Sequence, residues 1–163
     1  MSTAVNQTFR LHSTAVRHLW QARSGVANIV PYLSFGGNCR EAMTFYKECL
    51  GGDLTMQTMG ESPMGAQAPA GDKNKIMHVA SKKDGLEIMA SDMMGPGSAV
   101  YGNTINLMIA CTSEQEINSY FSKLSKGGKA GHALKEEFWG DVFGDLTDKF
   151  GIRWMLNWSK PKK

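Results

Sequence analysis

Few side chains in this chain are of types that move protons or hold a ligand, and their spacing sorts them into small sets. His78 stands in an apolar run from Ile76 to Lys82. A neutral imidazole there can act as general base or acid near pH 7; the other reading is a core histidine held by a backbone carbonyl, and no carboxylate is spaced to orient it. Trp139, Gly140 and Asp141 place an aromatic face and an acid around a glycine. Such a trio can stack on and orient a planar ligand, or Trp139 can plug the core while Asp141 caps a turn. Asp92 and Asn157 are polar residues at strand ends with the same two readings. His12 and His18 fall in an atypical N-terminal stretch, and His132 follows a glycine in an edge-strand pattern; none of these three invites a role.

Cysteine chemistry is quiet. Cys39 and Cys49 lie at opposite ends of one expected helix, about 15 Å apart, too far for a disulfide. Cys111 stands near a strand end, and no Cys/His spacing suits zinc. Reduced, buried thiols in a cytoplasmic protein are the expectation. Of the 11 methionines, Met56, Met59, Met64, Met77, Met89, Met93 and Met94 crowd residues 56–94. Methionine fills irregular core gaps, and it also makes pocket walls adaptable. No glycine-rich dinucleotide loop, P-loop or nucleophile elbow is present.

At 163 residues with 42% hydrophobic and 20% charged content, the chain reads as globular. The net charge of +3 owes much to the ends: the first forty residues hold Arg10, Arg17, Arg23 and Arg40 without an acid, and the last four include Lys160, Lys162 and Lys163. The near-neutral remainder gives no footprint for nucleic acid, and no apolar run is long enough to span a bilayer. Residues 1–28, rich in Ser, Thr, Arg and Ala, have the composition of an organelle presequence or of a short added helix.

The elements that must position these residues come as one pattern used twice. An apolar run from Val30 to Phe35 leads to Asn38 with Glu41 three residues on, then Ala42, Phe45, Tyr46, Cys49 and Leu50, then Gly51-Gly52. A second run from Thr104 to Cys111 leads to Ser113 with Glu116, then Ile117, Tyr120, Phe121 and Leu124, then Gly127-Gly128. Each is a strand, an N-cap with a reaching Glu, an amphipathic helix and a glycine stop. Strands follow at Leu54–Met59, Ile76–Lys82 and Leu86–Ser91, and again at Lys129–Leu134, Trp139–Leu146 and Ile152–Trp158. The expected fold is therefore α+β: two β-α-β-β-β modules, 29–95 and 103–158, forming a half-open barrel around a cleft with helices outside. An N-terminal extension (1–28) and a basic tail (159–163) flank them. Alternation puts Ile105, Leu107 and Ile109 against a helix and Thr104, Asn106 and Met108 on the concave face; likewise Trp154 and Leu156 oppose Arg153, Met155 and Asn157. The glycine- and proline-bearing loop from Gly60 to Asn74 reads as a mobile flap over the cleft, bringing Met64 as an apolar contact.

With these residues in hand, the chain resembles the vicinal oxygen chelate superfamily of glyoxalase I, extradiol dioxygenases and bleomycin-resistance proteins, and within it the PhnB-like branch. The resemblance spans about residues 29–158. It rests on Pro31-Tyr32-Leu33, Gly37-Asn38, Phe45-Tyr46, Met77-His78 and Met89-Ala90-Ser91-Asp92, with Phe138-Trp139-Gly140, Phe143-Gly144, Asp148-Lys149-Phe150-Gly151, Trp154 and Asn157. In metal-dependent members, first and last strands of each module supply chelating residues. Carried over, those positions are Pro31, Glu87 or Met89, Thr104 and Met155, a set too poor in charged donors for a divalent ion. The resemblance thus implies a metal-free protein, without a cofactor, holding a small, partly apolar organic ligand among Met89, Asn106, Trp139, Asp141, Met155 and Asn157, with His78 the candidate for any catalysis. The alternative is a metal-dependent lyase, isomerase or dioxygenase using Glu87, His78 and Asp92. A drug-sequestering role like that of the bleomycin binders ranks last, because those use an acidic cleft. Members of the branch are sometimes labelled ubiquinone-pathway methyltransferases, a label that no glycine-rich loop here supports. Open sheet edges lead us to expect a homodimer.

Overall fold

A computed structural model describes residues 27–95 and 98–161. The expected N-terminal extension lies outside the described residues except for 27 and 28. The elements run β1 (Tyr32–Phe35), α1 (Cys39–Leu50), β2 (Asp53–Thr58), β3 (Ile76–Lys83), β4 (Leu86–Asp92), β5 (Leu107–Cys111), α2 (Glu114–Leu124), β6 (Lys129–Glu136), β7 (Val142–Thr147) and β8 (Arg153–Trp158). They form two four-stranded sheets, ordered β1-β4-β3-β2 and β5-β8-β7-β6. In each, the first and last strands of the module pair in parallel and the rest antiparallel. Neither sheet closes into a barrel. No helix among the described residues is long and apolar enough to cross a membrane.

Helical spacing of apolar residues explains how the helices seat. Ala42, Met43, Tyr46, Cys49 and Leu50 form the buried stripe of α1, and Ile117, Tyr120 and Leu124 that of α2. The two stripes contribute to one core. Tyr46 meets Trp154 edge-on at 5.3 Å, and Phe150 reaches back to Phe35, Phe45 and Tyr46. The Tyr46 hydroxyl and the Trp154 indole N–H both donate to the buried carboxylate of Asp148 (2.7 and 2.8 Å). The other Asp148 oxygen accepts from the backbone of Phe150 and Ile152. Core packing thus carries the two halves of the duplication as one body.

Several boundaries differ from the sequence reading. The fifth strand begins at Leu107, not Thr104, and Ile105 is 78% exposed; before it, Tyr101 lays its ring against Gly151. The seventh begins at Val142, because residues 137–141 close a tight turn in which the Glu137 N–H donates to the Asp141 carbonyl. Trp139 therefore sits on a hairpin tip rather than opening a strand. The capping device expected at both helices occurs at one. Ser113 accepts from the Glu116 N–H, while Asn38 makes no side-chain cap and Glu41 pairs with Lys149 at 3.0 Å. Asp92, from the end of β4, accepts the N–H groups of Gly37 and Cys39 instead. The Gly60 to Asn74 connection is folded on itself through successive turns and a 3-10 turn at Ala70–Asp72, with Ser62 buried and Met64 62% exposed.

Candidate functional site

Each sheet turns one side to its helix and the other away, and strand register assigns the candidates. On the first sheet, Val79 and Ala90 are paired on the helix side, which puts His78, Ala80 and Met89 on the opposite side. His78 is 3% exposed, faces Gln57 of β2 and lies 6.0 Å from the Tyr32 ring. Burial first, and the Lys82 ammonium second, hold its imidazole below the usual range, so it is neutral at pH 7. Met89 shares the face, in register with Tyr32 and Ala80.

The second sheet carries the remaining candidates. Asn106 accepts from the Arg153 Nε at 2.9 Å. Met155 lies between Met108 and Asp145 in register. The Asn157 side-chain N–H donates to Asp141 at 2.9 Å, as does the Ser159 hydroxyl. Trp139 is 50% exposed and stands 6.2 Å from the Phe143 ring at the rim. Asn106, Trp139, Asp141, Met155 and Asn157 therefore share one face or its edge, while His78 and Met89 share the other sheet's. Phe143, Arg153 and a contact between His132 and Glu137 (2.6 Å) also belong to the second face. The sequence reading placed Arg153 on this face without giving it a role, and it missed Phe143 and the His132–Glu137 contact. Phe143 and Arg153 carry the right strand parity, but the His132–Glu137 spacing of five fits neither helix nor strand and gave no signal.

The donors named for the metal-binding alternative are engaged elsewhere or point apart. Asp92 and Glu87 are an odd number of residues apart on one strand, so they point to opposite sides. Asp92 is filled by the N–H groups of Gly37, Cys39 and Ile76, and Glu87 pairs with Lys82 at 2.7 Å. At the carried-over positions, the Pro31 carbonyl is taken by the Met89 N–H, Thr104 stands in the loop before β5, and Met89 and Met155 offer only thioethers. Among the described residues no three His, Cys, Asp or Glu gather to hold a metal. The three cysteines are free and buried, and burial pushes Cys39 and Cys111 up to about 12 and Cys49 up to about 11, which keeps them protonated and unreactive.

Residues 27–157 match the profile of the 3-demethylubiquinone-9 3-methyltransferase family. The chain belongs to this family. Among curated relatives it is 38% identical to Protein YjdN of Escherichia coli, over 78% of this chain and 92% of that one. Among solved structures, protein PA1353 of Pseudomonas aeruginosa superposes with a TM-score of 0.73 at 37% identity, covering 83% of this chain and all of that one. A PhnB protein from Bacillus cereus, described as a putative 3-demethylubiquinone-9 3-methyltransferase, gives 0.65 at 24%, over 82% and 100%. A glyoxylase/bleomycin resistance protein/dioxygenase domain from Frankia gives 0.59 at 13%, over 85% and 96%, a likeness of fold. The PhnB-like, glyoxalase-superfamily resemblance read from the sequence is thereby borne out. As for the methyl transfer in the family's name, the strand–Gly36–Gly37–helix passage would be the place for a cofactor's anionic group. In this member, Asp92 already takes those N–H groups.

Proposed function

We propose that this PhnB-like protein binds a small, partly apolar organic ligand, without a metal, on the open face of its second sheet. The observation that carries the reading is the exposure of apolar side chains there, Met108 at 55% and Trp139 at 50%, beside polar pairs already oriented by each other: Arg153 with Asn106 and Asp141 with Asn157. An apolar floor with a few directed polar groups is the make-up of small-molecule sites. His78 and Met89, on the equivalent face of the first sheet, complete the cleft when that face is brought over from within the chain or from a second copy. A cytoplasmic homodimer fits that requirement. The donor geometry speaks against the metal-dependent lyase, isomerase or dioxygenase reading.

The test is elemental analysis of protein purified without chelator, together with the electron density of the cleft. We expect no stoichiometric zinc, nickel, manganese or iron, and an organic molecule against Trp139 and Met155. A bound metal between the strands overturns the reading. Light scattering at micromolar concentration checks the dimer.

A further inference from the structure

Two register shifts in β6 flank one residue: the first falls between Ala130 and His132, the second between His132 and Lys135. Bulges re-aim side chains, and they gather at the rims of sites. Here they turn His132 toward Phe143, with ring centroids 6.1 Å apart, and bring its Nε2 to 2.6 Å from Glu137 Oε1. The carboxylate of Asp145 lies over the neighbouring Gly131, where a Cβ would stand 2.1 Å from its Oδ1. Glu137 is the shielded partner, its side chain 13% exposed, and the imidazole the presented one at 39%. With Nε2–H given to the carboxylate, Nδ1 carries the lone pair and is an acceptor. That tautomer is assigned from the hydrogen bond.

We propose that His132, oriented by Glu137, is the proton-accepting subsite of this face for a planar aromatic ligand that bears an acidic, phenol-type hydroxyl, its ring lying against Phe143 and Trp139. The proposal rests on the reading of the second sheet's open face as a ligand site, and it adds the chemical class. On binding, the ligand's O–H bond breaks and a bond from that proton to Nδ1 forms. The oxygen keeps the electron pair, leaving a phenolate beside an imidazolium whose charge Glu137 offsets. The His132 hydrogen bond, with Lys135 3.5 Å away, holds the Glu137 acid below its ordinary range, so the carboxylate is charged when needed. Lys135 from the same strand shares the Glu137 oxygen that His132 meets, and Asp145 of β7 stands in register with His132.

Two probes separate this from its premise: 4-nitrophenol and its methyl ether, 4-nitroanisole, each followed by tryptophan fluorescence, the phenol also by its visible phenolate band. A charge-assisted hydrogen bond predicts binding of 4-nitrophenol about tenfold tighter than that of the ether, with the bound spectrum that of phenolate at a pH where the free probe is mostly protonated. His132→Gln is expected to abolish both the preference and the spectral change while keeping the affinity for 4-nitroanisole, which also reports that the variant is folded. Glu137→Gln should reduce the preference. Equal affinity of the wild type for the two probes, or no phenolate band, overturns the subsite and leaves the ligand face standing. Failure of the wild type to bind either probe overturns both.

Discussion

At the scale of single residues, two buried carboxylates act as acceptors for groups that would otherwise be stranded. Asp148 takes four donors, two from aromatic side chains and two from the backbone. Hydrogen bonds to a charged group contribute about 1.5–3 kcal/mol each, and a stranded buried donor carries its full desolvation cost. Asp148→Ala is therefore expected to lose about 3 kcal/mol or more, read as a lowered urea midpoint; a loss within the error of the wild type would show that water replaces the carboxylate. His78 gives a pH dependence of known sign. Its native pKa is depressed by burial, so the unfolded chain takes up the proton first. Stability is fully present above the unfolded value near 6.5, and it falls as pH drops below that value toward the native one. His78→Gln should flatten the slope of unfolding free energy in that window. In the sequence, the Asp148-Lys149-Phe150-Gly151 string was legible as a match but not as a reason: its donors come from Tyr46 and Trp154, and no local pattern announces a contact across a hundred positions.

The secondary-structure elements were more legible, because their signals are local. Both helices follow the apolar period; α1 stops at Gly51-Gly52 as expected, whereas α2 stops at Leu124 with Ser125 as its cap and Gly127-Gly128 two residues beyond, and in each glycine pair the second is the one with no room for a side chain. A Cβ at Gly52 would stand 2.3 Å from the Lys82 carbonyl oxygen, and one at Gly128 would stand 2.4 Å from that of Thr147. Where the reading failed, a distant partner had displaced the local one. Asn38 looked like a cap and is not, because Asp92 does the capping. Thr104–Asn106 looked like strand and is loop, because Tyr101 packs on Gly151. The caps make a paired prediction: Ser113→Ala should cost about 1 kcal/mol, whereas Asn38→Ala should leave the denaturation midpoint close to the wild type. Equal losses at both sites would contradict the assignment of the cap to Asp92. The candidate face was partly legible from alternation, which placed Asn106, Met155 and Asn157 correctly together on one side. The bulged histidine was not, since a bulge breaks the very period used to read a strand.

For the whole molecule, the duplication does not produce two independent units. Besides the Asp148 cluster, the Lys83 amine donates to the Leu50 carbonyl and the Tyr120 hydroxyl, and Tyr120 donates to Glu116, so that β3, the end of α1 and α2 are tied at one point. A shared core predicts one transition. Three of the four tryptophans, at 139, 154 and 158, lie in the second module, so the fluorescence of a Trp20→Phe variant should follow the same denaturation curve as the helical circular dichroism to which both modules contribute. Two separated transitions would mean that the interface is adhesive rather than integral.

The cap on α1 also bears on how the chain is made. A ribosome releases the protein from its N-terminus, and α1 leaves the exit tunnel 53 positions ahead of the carboxylate that satisfies Cys39. Helix α2 carries its own cap in Ser113 and needs no such wait. Until β4 has been synthesised and laid beside β1, the earlier helix has open N–H groups at its start and an unpaired strand next to it, the condition in which nascent chains are most exposed to wrong pairing. The helix that is made second is thus the one that is capped as soon as it is made.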